Sequence, residues 1–245
     1  MKPGVIVALD LDDLEPALDL ARRLVDITPF FKVGLELFCL AGPEAVRRLR
    51  DMGAEVFLDL KFHDIPNTVA GAVRSVMSLA PFMLTLHASG GREMLSRAVA
   101  ESRAAADELA IRRPRLLGVT LLTSIDQDML SRELGVARTV EQHVAQCAGM
   151  CLSSGLDGVI ASPGEVQVVR DMTGPDFLIV TPGVRPAGQD PGDQRRVATP
   201  GEAIRAGADF VVVGRPITRA SDPRGACLSI YDEICDAYDR RNRRC

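Results

Sequence analysis

The chain is expected to fold as an α/β protein, one (β/α)8 or TIM barrel over residues 1–245. Three observations carry that expectation. Short apolar runs recur about every 25–30 residues and alternate with longer amphipathic stretches, the pattern of successive βα units. Most runs are unbroken Val, Ile and Leu rather than alternating, as parallel strands covered on both faces require. No Ser/Gly-rich linker or composition shift divides the chain, and its 245 residues suit one domain of this class.

Taken in order, the first strand is Val5–Leu9, after which Asp12 and Asp13 can cap a helix reaching about Ile27. The second is Phe30–Val33, with Pro43 near the start of the following helix. The third, Glu55–Leu60, leads through a polar loop to Pro66, which opens a helix carrying Val69, Val73 and Val76. Met83–Leu86 comes next, followed by a helical stretch around Gly91–Ala110 that is rich in Ala, Glu and Arg. Strands five to seven are Leu116–Leu121, Gly158–Ala161 and Phe177–Val180, with Cys147 and Cys151 four apart on the helix between the first two. Thr199-Pro200-Gly201-Glu202 combines a Thr cap, an internal Pro and a Glu three residues on, and announces a helix before the eighth strand, Phe210–Val213. The last helix runs from about Ala226 to Tyr238. An open doubly wound sheet would need a Gly-rich turn after strand one; Asp10-Leu11-Asp12-Asp13 stands there instead, and no Walker A motif occurs.

Composition narrows the function. With 29 basic and 33 acidic residues the net charge is −4, which gives no general electrostatic reason to bind nucleic acid or an anionic membrane. The basic tail Arg240, Arg241, Arg243 and Arg244 reads as a solvated helix end. The N-terminal apolar run is too short for a signal peptide, and no 18-residue apolar stretch occurs, so a cytoplasmic protein is expected. Six Cys residues are scattered without a CxxC, and buried thiols are expected rather than a metal site.

Chemistry in such barrels gathers where strands end. Those ends carry Asp10, Lys32, Asp59 with Lys61, His87, Thr123, Ser162, Pro182 to Arg185, and Gly214-Arg215. Strand periodicity places Asp59 and Lys61 on one face, and Lys32 from the neighbouring strand and Asp64 from the following loop can approach the same space. Two lysines among acids are stable only in alternation. Carboxylates beside Lys61 favour its protonated form, suited to a general acid and unsuited to a Schiff base. Asp10 alone serves equally as a helix cap or a substrate contact, and His63 and His87 read as packed wall residues. A second constellation, Thr181 to Arg185 and Val213 to Pro216, places Gly beside Arg on the last two strands, where barrels commonly cradle phosphate. Between them Arg185 to Arg196 is polar, Gly/Pro-rich and long, a candidate lid from which Gln194 could reach a ligand.

These residues together resemble the orotidine 5′-phosphate decarboxylase family in its bacterial form. The resemblance is carried by Asp59-Leu-Lys-Phe-His-Asp-Ile-Pro-Asn-Thr68, with Ala8-Leu9-Asp10, Lys32-Val33-Gly34, Leu122-Thr123-Ser124, Pro182-Gly183-Val184-Arg185-Pro186, Gly192-Asp193-Gln194-Arg195 and Val213-Gly214-Arg215-Pro216 in family order. It implies decarboxylation of orotidine 5′-phosphate to UMP, the last step of de novo pyrimidine synthesis, without metal or organic cofactor. Position-matching then makes Lys61 the proton donor and sets Asp59 beside the substrate carboxylate. Asp10 and Lys32 would contact the ribose, Thr123 would lie near the pyrimidine, and Arg185, Gln194, Gly214 and Arg215 would hold the phosphate, with Pro182 also among the substrate-binding residues. Asp64, catalytic as well, would bind substrate with Ile65 and Thr68, and in a homodimer Asp64 and Thr68 would reach the partner's site.

Two other classes use the same features differently. A Mg²⁺-dependent sugar-phosphate decarboxylase or aldolase would use Asp59 and Asp64 as metal ligands, and an isomerase of the same group would release no CO2. A catalytically silent barrel would sense a phosphorylated ligand and have no need of the Lys/Asp array.

Overall fold

The structure is a computed structural model that describes residues 3–186 and 198–242. Eight strands, β1 (Gly4–Ala8), β2 (Phe30–Val33), β3 (Glu55–Phe62), β4 (Met83–His87), β5 (Arg115–Val119), β6 (Gly158–Ile160), β7 (Leu178–Thr181) and β8 (Phe210–Val213), pair in chain order and close into a barrel. Every pairing is parallel, including β1 with β8. Each expected strand is present, its ends shifted by no more than two residues. The (β/α)8 expectation is met.

The helices start where local chemistry allows. Asp13, rather than Asp12, caps the helix Leu14–Leu24, its carboxylate accepting the Glu15 N–H at 3.1 Å. That helix stops three residues short of Ile27, because the chain turns down to Thr28, whose hydroxyl donates to the Val5 carbonyl at 2.7 Å. Pro66 opens Pro66–Met77, and Thr199 with Glu202 forms a reciprocal capping box at Pro200–Ala206. Among the described residues, four short helices escaped the periodicity: Leu35–Ala41, Gln127–Arg132, Val166–Thr173 and Arg215–Thr218. None shows more than about two turns of apolar spacing. Cys147 and Cys151 lie buried on Val140–Ser153, where loss of hydration pushes their thiols up to about 11 and about 12.

Two apolar layers result from strand alternation. One face of each strand packs against the helices; the other fills the barrel with Ile6, Phe57, Met83, Leu117, Val180 and Val212 among others. Phe30, Phe82 and Phe210 close the N-terminal end, their ring centroids 5.1–6.2 Å apart in tilted and edge-on contacts. With that end plugged, the opposite mouth is the one left for chemistry.

A polar clamp holds the same closed end. Arg170 donates to the carbonyls of Gly174, Phe177 and Gly207 and pairs with Asp209 at 2.7 Å, and Asp209 also accepts the Ile179 N–H. Both side chains are mostly shielded, so removing one leaves the others' polar atoms unmet. Arg170→Ala is expected to lower unfolding free energy by about 3 kcal/mol, read as a lower urea midpoint at unchanged slope. An unchanged midpoint would remove the clamp from the stability account.

Candidate active site

The register of the first three strands builds the centre of the mouth. Ala8, Lys32 and Phe57 stand side by side across β1, β2 and β3. Ala8 and Phe57 belong to the barrel-filling layer, so Lys32 starts from the same level and its long side chain climbs toward the mouth. One pleat higher, Asp10 and Asp59 flank it. The Lys32 ammonium lies 2.7 Å from Asp10 Oδ1 and 3.7 Å from Asp59 Oδ2, and the Lys61 ammonium lies 2.8 Å from that same Asp59 oxygen. The order is Asp10, Lys32, Asp59, Lys61, with sign alternating at every step.

Burial makes this arrangement costly to disturb. Lys32 and Asp59 are only 8% and 7% exposed, so neither charge is well hydrated and each depends on its neighbours. Lys61 keeps a more open position, its side chain 28% exposed. Gly34 is needed beside the pair: a Cβ there would stand 2.7 Å from the Lys32 nitrogen and 2.9 Å from Asp10 Oδ1. That accounts physically for glycine in the Lys32-Val33-Gly34 motif.

Asp59 and Lys61 do share a face, but not through a regular strand. Between Leu58 and Phe62 the β3–β4 register shifts: Leu58 pairs with Leu84 and Phe62 with Leu86, so β3 carries extra residues there. Lys61 takes up the mismatch with φ +51°, a left-handed conformation disfavoured for a residue that carries a Cβ. Its N–H donates to Thr85 Oγ1 at 2.9 Å, and that hydroxyl donates to Asp59 Oδ1 at 2.9 Å. Thr85 sits inside β4 and carried no signal in the sequence, where it reads as one polar residue in an apolar run.

A cavity of about 570 Å³ opens above this floor. Asp10, Lys32, Asp59, Lys61, Thr123, Pro182, Arg185, Gly214 and Arg215 all line it, together with Gly183, so both expected constellations meet in one space. Gly183 has φ +78°, and Gly214 lies with its Cα side toward Ala8 and Asp10, bringing backbone close to the cavity wall. The Arg185 N–H donates to the Ala198 carbonyl at 2.9 Å, which joins the two described ends of the long β7 loop. Leu122 and Arg219 also line the cavity and were not singled out by strand-end reasoning, since each lies beyond its strand in a loop or a short helix.

Asp64, Ile65 and Thr68 stand apart from it. All three are exposed, Ile65 at 66%, and none lines the cavity of its own chain. The Asp64 carboxylate accepts the Ile65 N–H at 2.6 Å. The expectation that Asp64 joins the Asp59/Lys61 cluster therefore fails within one chain; Asp10 takes the fourth place. Gln194 and the rest of residues 187–197, which include most of the candidate lid, lie outside the described residues, as do Arg243, Arg244 and Cys245. His63 and His87 stack with centroids 5.4 Å apart, and neither lines the cavity. Burial, then the nearby charges of His63 and Lys61, hold His87 below the usual imidazole range, as befits a neutral wall residue. Ser162 is buried and also outside the cavity lining.

Among the described residues no group of three or more His, Cys, Asp or Glu is gathered for a metal ion, and no helix is long and apolar enough to cross a membrane. A model of the orotidine 5′-phosphate decarboxylase / HUMPS family matches residues 3–230. An orotidine 5′-phosphate decarboxylase of Moorella thermoacetica is 52% identical over 95% of this chain and 92% of its own. One of Syntrophotalea carbinolica is 50% identical over 96% of each. The crystal structure of orotidine 5′-phosphate decarboxylase from Lactobacillus acidophilus superposes with a TM-score of 0.84 at 42% identity, covering 95% of this chain and 99% of that one.

Proposed function

The chain belongs to the orotidine 5′-phosphate decarboxylase / HUMPS family, and from that premise we propose that it converts orotidine 5′-phosphate to UMP and CO2, the closing step of pyrimidine synthesis. The observation that carries the reading is the alternating Asp10–Lys32–Asp59–Lys61 row on the cavity floor. Curated relatives of about half-identical sequence bear the decarboxylase name, which supports the same branch of the family.

In this reading Arg185, Gly214 and Arg215 hold the phosphate, joined by Gln194 from the loop, and Pro182 and Thr123 border the ribosyl and pyrimidine parts. Asp10 and Lys32 hold the ribose hydroxyls. Asp59 faces the substrate carboxylate, whose charge is relieved as the C–CO2 bond breaks. The bonding pair stays on the ring carbon, which has no conjugated sink, and the Lys61 ammonium stabilises it and delivers a proton to it. Lys61 then regains a proton from water. Phosphate contacts distant from the reacting carbon supply binding free energy that offsets the crowding of two carboxylates. Asp64 and Thr68 act in the neighbouring site of a homodimer, with Ile65 between them in the contact; their exposure in the single chain is what such a role needs. The cytoplasm is the compartment proposed for it.

The test is incubation of purified protein with orotidine 5′-phosphate and EDTA while ultraviolet absorbance is followed. Sustained loss of substrate with UMP formed supports the reading. Activity abolished by EDTA and restored by Mg²⁺ would move the chain to a metal-dependent branch, and no turnover under any condition would reject the decarboxylase.

A further inference from the structure

Thr85 is wholly buried on β4, yet it is a hydroxyl in a barrel interior otherwise filled at that level by Met83, Leu117 and Phe57. A buried hydroxyl needs partners, and this one has two of a particular kind. It accepts the Lys61 N–H and donates to Asp59 Oδ1, both at 2.9 Å. Asp59 therefore has one oxygen tied to Thr85, leaving Oδ2 for the ammonium groups of Lys61 and Lys32 at 2.8 and 3.7 Å.

The backbone explains why such a tie is needed. Where β3 slips against β4, Lys61 adopts φ +51° and its N–H loses a regular ladder partner. The Thr85 hydroxyl takes that N–H and offsets the cost of the left-handed turn. A single side chain thus fixes both the rotation of the Asp59 carboxylate and the backbone from which Lys61 projects.

The geometry points to Thr85 as a positioning residue for the decarboxylation, acting through Asp59 and Lys61 without lining the cavity itself. The inference rests on the decarboxylase reading and deepens it. It separates Thr85 from residues such as Thr120, whose buried hydroxyl only meets the Ile160 carbonyl at 2.8 Å.

Thr85→Val keeps the shape and removes the hydroxyl; Thr85→Ser keeps the hydroxyl and removes a methyl. Thr85→Val is expected to lose about 10- to 100-fold in kcat, the size of a lost hydrogen bond to a charged group, with UMP affinity within about 2-fold of wild type. Thr85→Ser is expected to stay within about 3-fold of wild type in kcat. Should the Val variant fail to fold, Thr85→Ala replaces it with the same expected loss. A hydroxyl-free variant that turns over like wild type would overturn the inference, as would a Ser variant impaired as deeply as the Val one, or a loss confined to KM. Wild-type protein that leaves orotidine 5′-phosphate untouched would instead reject the decarboxylase reading itself, so the two failures are distinct.

Discussion

Lys61→Ala is expected to lower kcat for orotidine 5′-phosphate by about 10³- to 10⁴-fold, while UMP binds within about 3-fold of wild type. The split follows from where the charges lie. Lys61 ends on the cavity floor beside Asp59, whereas Arg185, Gly214 and Arg215 come from β7 and β8 and are untouched by the substitution. Product carries no carboxylate and no nascent anion, so it has little to lose. Turnover is read by ultraviolet absorbance and binding by calorimetry. Wild-type-like kcat in this variant would take Lys61 out of the chemistry.

The same variant probes the proposed dimer. Lys61→Ala and Asp64→Ala chains, each impaired alone, would in a mixed dimer place both defects in one site and leave the other intact. Mixing them under conditions of subunit exchange is expected to restore about a quarter of wild-type activity. Absence of any recovery, with exchange verified, would confine Asp64 to its own chain.

The second large effect is at Asp59. Asn has the same shape and can still accept from Thr85, but it cannot neutralise the two ammonium groups that approach its Oδ2 position at 2.8 and 3.7 Å. At roughly 6 Å and an effective dielectric of about 20, two like charges repel by about 3 kcal/mol. Asp59→Asn is therefore expected to reduce kcat by about 100-fold or more, through a Lys61 no longer held on target. KM for orotidine 5′-phosphate should stay level or fall, because the substrate carboxylate no longer faces a second anion. Steady-state kinetics decide this: a raised KM at unchanged kcat would make Asp59 a simple binding residue.

Much of this was legible before any coordinates. Short apolar runs, most of them continuous Val, Ile and Leu, marked all eight strands, since a parallel strand buried on both faces leaves a local, repetitive signature. Pro66, Asp13 and the Thr199/Glu202 pair marked helix starts because caps are also local chemistry. Once strand ends were known, the barrel rule brought Asp10, Lys32, Asp59, Lys61, Thr123, Arg185 and Arg215 to one rim, and the cavity contains them all.

Other features depended on how neighbouring strands register. Nothing within residues 55–62 announces that β3 slips by a bulge or that Lys61 is left-handed; both arise from matching β3 to β4. Thr85 lies 26 residues from Asp59, and its hydroxyl gains a role only when that slip brings them together. Asp64, three residues beyond Lys61, looked like a member of the cluster by proximity in the chain, yet the turn into the Pro66 helix carries it outward. Periodicity and capping are short-range, so the order of residues alone determined the barrel and the rim. The alternation of charge around Asp59 and the clamp on Lys61 are long-range, and only the closed sheet, by holding each strand in one register against the next, decided them.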